Sequence, residues 1–178
     1  MLFDFDQDST RISARQMVRQ SLEAKQRDIY NSHRHRIFSV SFYMTGSEIE
    51  AESILQDTFI RAFEKAEEPD GGVIDAALLQ EFYRRDLLPE EEAGPVPASP
   101  GLAGGGNVLR ADLEAAIRRL PCRERLVFLL TDVEGYSAAQ TAALLKISQA
   151  TAMRTMMTAR MRLRAELAAG QGDGRQAA

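Results

Sequence analysis

The stretch that decides the fold is Leu120–Ser148, LPCRERLVFLLTDVEGYSAAQTAALLKIS. Pro121 is suited to the start of a helix, because its missing N–H would have no partner in the first turn. Gly135 interrupts the chain. Ser137, followed three residues later by Gln140, forms the sequence pattern of a capping box for the next short helix. The stretch therefore predicts two helices that are separated by a tight turn.

A third, longer helix is predicted directly after this stretch. Ile147 is expected in the core at the turn, and Ser148 is a suitable N-cap. The helix should run from about Gln149 to Ala168, roughly 30 Å at 1.5 Å per residue. Apolar residues recur along it in steps of three and four, which predicts one core-facing stripe: Ala152, Met156, Ala159, Leu163 and Leu167. Two helices, a turn and a third helix are the layout of a helix-turn-helix DNA-binding domain.

The final helix also carries four arginines, Arg154, Arg160, Arg162 and Arg164, which should project away from the core stripe. A helix of this kind fits the major groove, with arginines available for phosphates or guanine edges. The alternative is a solvated basic face on an ordinary three-helix bundle. The order of turn, cap and spacing favours the DNA-binding interpretation.

These residues resemble the C-terminal promoter-binding domain of bacterial sigma factors of the extracytoplasmic-function (ECF) class. The resemblance rests on Leu120-Pro121, Arg125, Val127–Leu130, Asp132–Ser137, Ile147-Ser148 and Arg160–Arg164. A second motif, Ala51–Phe63 (AESILQDTFIRAF), resembles the polymerase-docking helix of the same family. The resemblance covers roughly residues 26–66 and 108–168, with the two motifs in the family's order.

The resemblance implies a set of site residues. DNA contacts are expected from Ser148, Gln149, Thr151, Arg154, Arg160 and Arg164. Polymerase contacts are expected from Glu52, Gln56, Asp57 and Phe59, with Phe59 also anchoring the helix to its own core. Single-stranded promoter DNA would meet Phe82, Tyr83, Arg84 and Arg85 by stacking and backbone contacts. For that last set, the alternative of a core phenylalanine beside solvated arginines stays open.

The chain departs from the family at several positions. The family usually has an acid at the place of Ser53, and basic residues at the places of Met153, Thr155 and Thr158. Losing three positive charges should weaken DNA affinity, because each phosphate contact contributes through counterion release. Met153, Met157 and Met161 fall together on the side away from the core stripe. If exposed, they form an adaptable apolar patch of the kind that binds protein, or one that could meet thymine methyl groups.

Charge is unevenly distributed within a net charge of −4. Residues 108–170 contain ten Lys and Arg against six Asp and Glu, a balance of +4. Residues 66–92 contain nine acids and two bases, a balance of −7. A basic C-terminal module beside an acidic middle is consistent with nucleic-acid binding by the C-terminal part alone.

Upstream, the pattern predicts three helices. The first dozen residues are expected to be a loose acidic tail, followed by a helix from about Ser13 to Tyr43. Ser47–Glu50 is a second capping box, opening a helix that ends at Pro69–Gly72. A further helix is predicted from Val73 to Leu88, stopped by Pro89.

The predicted fold is all-α, with two small helical domains joined by a flexible linker. The boundaries are 10–88 for a region 2-like domain, 89–107 for a proline- and glycine-rich linker, 108–169 for a region 4-like helix-turn-helix domain and 170–178 for a disordered tail. No run of residues alternates between apolar and polar for long enough to suggest a strand.

Other function classes find little support. The single cysteine, Cys122, excludes an intramolecular disulfide, and packing is its expected role. Alternate spacing places His33 and His35 on different helix faces, so no metal site is expected. No membrane-spanning run, signal peptide, nucleotide loop or catalytic set is apparent, which predicts a cytoplasmic protein that is not an enzyme and has no cofactor, membrane or small-molecule substrate.

The expected function is sigma-factor-like transcription initiation. The expected partners are the RNA polymerase core and promoter DNA, with an anti-sigma factor as a further candidate. A second interpretation is a degenerate sigma-like regulator that contacts an anti-sigma factor or the polymerase core through the methionines, without melting DNA. A stand-alone helix-turn-helix repressor would leave the docking motif unexplained.

Overall fold

The computed structural model describes residues 5–89 and 110–173, and these parts of the chain contain α-helices, one π-helical segment and no strand. The all-helical prediction is therefore confirmed for them. The elements are α1 (Phe5–Thr45), α2 (Glu48–Lys65), α3 (Gly71–Arg84), α4 (Arg110–Arg119), α5 (Cys122–Phe128), the π-helical segment (Leu129–Val133), α6 (Ala138–Leu145) and α7 (Gln149–Asp173).

The N-terminal boundaries differ from the predicted ones. α1 begins at Phe5, so the prediction of a loose tail over the first dozen residues is wrong from that point on. No proline or glycine interrupts residues 5–45, and acidic residues near a helix N-terminus are favoured by its dipole. α3 begins at Gly71, because Asp70 accepts a bond from the Val73 amide at 2.9 Å, and it ends at Arg84 instead of Leu88.

Two C-terminal predictions also need correction. Pro121 occupies the N-cap position of α5, with φ −50° and ψ 143°, and is not the first helical residue. α7 continues to Asp173, beyond the predicted end at Ala168 and into the predicted disordered tail. A glycine inside a helix costs only about 1 kcal/mol, so Gly170 does not have to end it. Residues 90–109 lie outside the described parts of the chain, so the linker and the domain boundaries remain predictions.

Apolar side chains from both halves of the chain form the core. In the N-terminal half, α1, α2 and α3 bury their facing residues, with Ile37, Ile54 and Phe82 among those without exposed surface. In the C-terminal half, α5 packs against α7, where Leu126 and Ala159 are buried. The buried residues of the two halves belong to one continuous cluster.

The halves contact each other through α1, which touches α4 and α5 as well as α2. Arg125 of α5 donates to the carbonyl of Met44 at 3.0 Å and to that of Tyr43 at 3.4 Å, at the C-terminal end of α1. The same guanidinium donates to the carbonyls of Leu120, at 2.9 Å, and Arg118. It thereby satisfies carbonyls that a helix end leaves without intrahelical partners.

A second contact between the halves joins Arg36 of α1, Asp75 of α3 and Tyr136 of the turn before α6. Arg36 is ion-paired with Asp75 and donates to the Tyr136 hydroxyl at 2.5 Å. That hydroxyl donates to the other carboxylate oxygen of Asp75, also at 2.5 Å. Burial, followed by the bond to Asp75, raises the pKa of Tyr136, so its hydroxyl stays protonated and available as a donor.

Replacing Tyr136 by Phe should loosen the contact between the halves. The substitution removes the hydroxyl but keeps the ring, and it leaves Asp75 and Arg36 one hydrogen bond short each. We expect the free energy of unfolding, measured in urea, to fall by about 1–3 kcal/mol. The radius of gyration measured by small-angle scattering should increase. Tyr83→Phe is the matched control, because Tyr83 is 56% exposed and lies on α3. Equal behaviour of the two variants would contradict this role of Tyr136.

Candidate docking and DNA-binding surfaces

The first candidate surface is the outward face of α2. Ser47 caps this helix by accepting a bond from the Glu50 amide at 3.3 Å, one of the two bonds of the predicted capping box. The inward face is buried and includes Ile54 and Phe59, whose ring lies 4.8 Å from that of Tyr30. Phe59 is thus a core residue that holds α2 in place, and it is not available for contact with a partner.

Glu52 and Gln56, two of the residues proposed for polymerase docking, are exposed on the outward face. Two large apolar side chains lie beside them: Ile49 is 82% exposed and Ile60 is 59% exposed. Ile49, Gln56 and Ile60 are spaced by whole helical turns, so they lie on one line along the helix. The sequence interpretation missed both isoleucines, although their position opposite the buried stripe was a signal for them. We call Ile49, Glu52, Gln56 and Ile60 the α2 outer face.

Asp57 lies at the edge of this face and is held by α3. Its Oδ2 accepts from Arg84 at 2.8 Å and from Arg85 at 2.6 Å. Arg85 also donates to the Ser53 hydroxyl at 2.9 Å, at the position where the family usually has an acid. The predicted docking residue Asp57 is therefore already paired inside the domain.

The same arginines surround a fully buried carboxylate, Glu81. It accepts from Arg61 at 2.6 Å and from Arg84 at 2.5 Å, and Arg85 lies 3.6 Å away. Burial alone would raise the pKa of Glu81, but the hydrogen bonds from Arg84 and Arg61 outweigh it and lower the pKa. Glu81 thus stays charged and fixes the end of α3 against α2.

This network corrects the predicted contacts with single-stranded DNA. Phe82 has no exposed surface and belongs to the core, so it cannot stack on a base. Arg84 and Arg85 are engaged with Asp57 and Glu81 rather than free for a DNA backbone. Tyr83 is the exposed aromatic residue at this end of α3. The alternative interpretation, with Phe82 in the core, was correct for that residue.

The second candidate surface is positioned by the turn between the π-helical segment and α6. Gly135 has φ +75°, a conformation that favours glycine, and Ser137 and Gln140 form both bonds of the predicted capping box. Lys146 ends α6 in the left-handed region. Ser148 then caps α7 by accepting from the Thr151 amide at 3.0 Å. Together, these backbone conformations and capping bonds fix the position at which α7 begins.

The arginines of α7 differ in their surroundings. Arg154 and Arg164 are exposed, and in the described parts of the chain no ion pair involves either. Arg160 is exposed but lies 2.7 Å from Asp132. Arg162, expected to project outward, instead lies 3.0 Å from the buried carboxylate of Glu124. Burial raises the pKa of Glu124, and Arg162 opposes that rise.

The start of α7 presents the other predicted DNA-binding residues. Ser148 and Gln149 are exposed, whereas Thr151 is half-buried and its hydroxyl lies 2.8 Å from that of Ser148. On the adjoining outward face Met153 is 46% exposed and Met157 is 59% exposed. Their placement away from the core stripe agrees with the sequence prediction. These methionines belong to an open, shallow and largely apolar surface of α7, formed by Ala150, Met153, Arg154, Met157, Thr158 and Met161.

Within residues 5–89 and 110–173, no group of three or more His, Cys, Asp or Glu residues is arranged to hold a metal ion. His33 lies near the Arg36 guanidinium, 3.4 Å from Nδ1 to Nη2. Desolvation and the charge of Arg36 lower the pKa of His33. None of the helices described for this chain combines the length and the apolar character needed to cross a bilayer.

A family model matches the C-terminal half of the chain. The family model for sigma-70 region 4 matches residues 110–163, which include α4, the helix-turn-helix and most of α7. This part of the chain is therefore similar to region 4 of the sigma-70 type.

Two further comparisons extend over most of the chain. The ECF RNA polymerase sigma factor SigE of Mycolicibacterium smegmatis is 28% identical over 167 residues. That match covers 85% of this chain and 65% of SigE. The sigma factor RpoE of Bartonella quintana, solved in complex with the anti-sigma factor NepR, has a similar fold. The TM-score is 0.55 at 20% identity, covering 84% of this chain and 96% of RpoE. The predicted resemblance to ECF sigma factors is confirmed.

Glu81 makes stability depend on pH in a defined direction. Folding lowers the pKa of Glu81. Its contribution to the free energy of unfolding is therefore complete at pH values above the unfolded-state pKa of about 4.3, and it is lost as the pH falls below that value. Glu81→Gln should therefore destabilise the chain by about 3 kcal/mol at neutral pH, the scale for breaking a buried ion pair. The difference in free energy of unfolding between this variant and the unmodified chain, measured by urea titration, should shrink as the pH falls below about 4.

Glu64→Gln is the control for this measurement, because Glu64 is exposed on α2. It should change stability little at any pH. A destabilisation by Glu81→Gln that stays constant across the acid range would show that the lost interaction does not depend on the carboxylate charge.

Proposed function

We propose that this protein is a sigma factor that directs RNA polymerase to promoters. It would bind the polymerase core through the α2 outer face and upstream promoter DNA through α7. One observation carries the proposal: a chain with a sigma-70 region 4 helix-turn-helix also presents a second exposed face, on α2, at the position of the docking motif. A stand-alone DNA-binding protein would have no use for the second face.

Docking through the α2 outer face is supported by its composition. Glu52 and Gln56 offer polar contacts at its centre, and Ile49 and Ile60 offer apolar contacts toward both ends. Apolar anchors beside polar groups are typical of protein interfaces. Asp57 and Phe59 do not belong to this face but hold it in place. Asp57 pairs with Arg84 and Arg85, and Phe59 packs in the core.

A double variant, Glu52→Lys with Gln56→Lys, should weaken binding to purified core RNA polymerase at least tenfold, or about 1.4 kcal/mol. Both residues are exposed, so the fold should persist, and circular dichroism would verify this. Gln20→Lys with Glu23→Lys, at two exposed positions on α1, is the charge-matched control, because it also replaces one glutamine and one glutamate by lysine. Unchanged affinity of the double variant in an interferometry titration would exclude this face as the docking surface.

DNA binding through α7 is supported by the exposure of its N-terminal residues and by Arg154 and Arg164, which form no ion pair within residues 5–89 and 110–173. In helix-turn-helix proteins the second helix of the motif contacts base edges through its N-terminal residues. Ser148, Gln149, Arg154 and Arg164 are the proposed direct contacts. Arg160 would have to exchange Asp132 for a phosphate, and Thr151 contributes mainly through the cap.

Arg154→Glu should abolish retention of promoter fragments by the complex of this chain with core polymerase in a gel shift. The substitution replaces an exposed cation of α7 with an anion, which phosphates repel. Arg27→Glu is the control, because Arg27 is exposed on α1 in the other half of the chain. Retention that survives Arg154→Glu but fails with Arg27→Glu would move the DNA contact away from α7.

The comparisons favour this function over a degenerate regulator that acts by protein contacts alone, because the chain resembles a named sigma factor over most of its length. The proposal places the protein in the cytoplasm with its polymerase and assigns it no catalytic reaction. An anti-sigma factor is a further proposed partner, supported by the structural similarity to RpoE, which was solved with NepR.

A further inference from the structure

The outward face of α7 has an unusual composition for a DNA-contacting helix. Ala150, Met153, Arg154, Met157 and Met161 fall within an arc of about 100° at 3.6 residues per turn. This arc lies opposite the buried stripe of Ala152, Ala159 and Leu163. Its surface is open and shallow and includes three methionines and one arginine. The outward face of α7 therefore offers few polar groups for hydrogen bonds with base edges.

The major groove of DNA offers one apolar group to such a face. Of the four bases, only thymine presents a C5-methyl group there, and apolar side chains make contact with it. Guanine presents two acceptors that suit a bidentate arginine. The face of α7 thus matches a duplex with thymines beside a site for Arg154.

We infer that Met153 and Met157 recognise thymine methyl groups in the upstream promoter element, and that they determine its sequence specificity. The inference rests on the proposed function and adds the base that α7 selects. The two residues are separated by one helical turn, about 6 Å along the axis, which is close to two base-pair steps of about 3.4 Å. Arg154 lies beside them and supplies a guanine or phosphate contact.

Charge favours DNA over a protein as the occupant of this face. Arg154 and Arg164 flank the methionines without an ion pair in the described parts of the chain. Duplex DNA can pair both cations with phosphates of its two backbones. The floor of its major groove can at the same time contact the methionine side chains. The capped start of α7 holds these side chains at the end of the helix that helix-turn-helix proteins insert into the groove.

The experiment removes methyl groups from the DNA and thioether side chains from the protein. A duplex retained by this chain with core polymerase is first selected from a random-sequence pool. Its thymines in the protected upstream element are then replaced by deoxyuridine, which keeps base pairing and lacks the methyl. Binding should weaken about fourfold for each contacted methyl, the effect of burying one such group.

The Met153→Ala, Met157→Ala double variant should bind the thymine duplex more weakly and show no further loss with deoxyuridine. Met157→Leu should retain the discrimination, because it keeps an apolar tip. Met17→Ala is the control, since Met17 is 71% exposed on α1. Alanine favours helix, so the double variant should fold.

The outcomes separate this inference from the proposed function. If the duplex is retained but deoxyuridine has no effect, or has an equal effect on the chain and its double variant, the inference is wrong and the proposed function stands. If the double variant keeps its DNA affinity but loses core polymerase, the methionines form a protein-docking surface and the inference is wrong. If no duplex is retained by the complex, both fail.

Discussion

The guanidinium of Arg125 donates to backbone carbonyls on both sides of the contact between the two halves of the chain. On one side lie Tyr43 and Met44, at the end of α1. On the other lie Leu120 and Arg118, at the corner between α4 and α5. Carbonyls at a helix end have no partner of their own, and burying them unpaired is costly. One side chain therefore allows the long first helix to end against the C-terminal domain.

With this contact and the cluster of Arg36, Asp75 and Tyr136 in place, the two candidate surfaces are exposed at the same time. The α2 outer face and the start of α7 both remain accessible while the cores of the two halves form one continuous cluster. Buried charges act as supports in each half: Glu81 fixes α3 to α2, and Glu124 holds Arg162 on α7. The exposed residues Gln56 and Arg154 thus project from rigid helices, which suits contact with large, preformed partners.

Local patterns in the sequence predicted the local features of the structure. Ser137 with Gln140, and Ser148 before a periodic run, define helix starts through bonds to nearby amides, so neighbouring residues suffice to identify them. Burial of Ala152 and Ala159 followed in the same way from helical spacing. The start of α1 was misplaced because the acidic first residues were interpreted as a loose tail, and the end of α7 because Gly170 was interpreted as a stop signal.

The features that were missed depend on contacts between distant residues. Phe82 could stack or pack, and only the position of α3 against α2 decides this. Arg84 and Arg85 were expected to contact a DNA backbone or solvent, and Arg162 to project outward. Each instead pairs with a carboxylate, Arg162 with one 38 residues away. Ile49 and Ile60 were missed because the family resemblance assigned docking to Glu52, Gln56, Asp57 and Phe59. The chain's own spacing, with both isoleucines opposite the buried stripe, could have identified them.

Run-off transcription tests the central claim most directly. Purified core RNA polymerase would be combined with this chain and a pool of genomic DNA fragments, and the transcripts would be mapped at their 5′ ends. We expect initiation at defined sites that requires the added chain. Absence of any chain-dependent start site, from a core that initiates normally with another sigma factor, would contradict it.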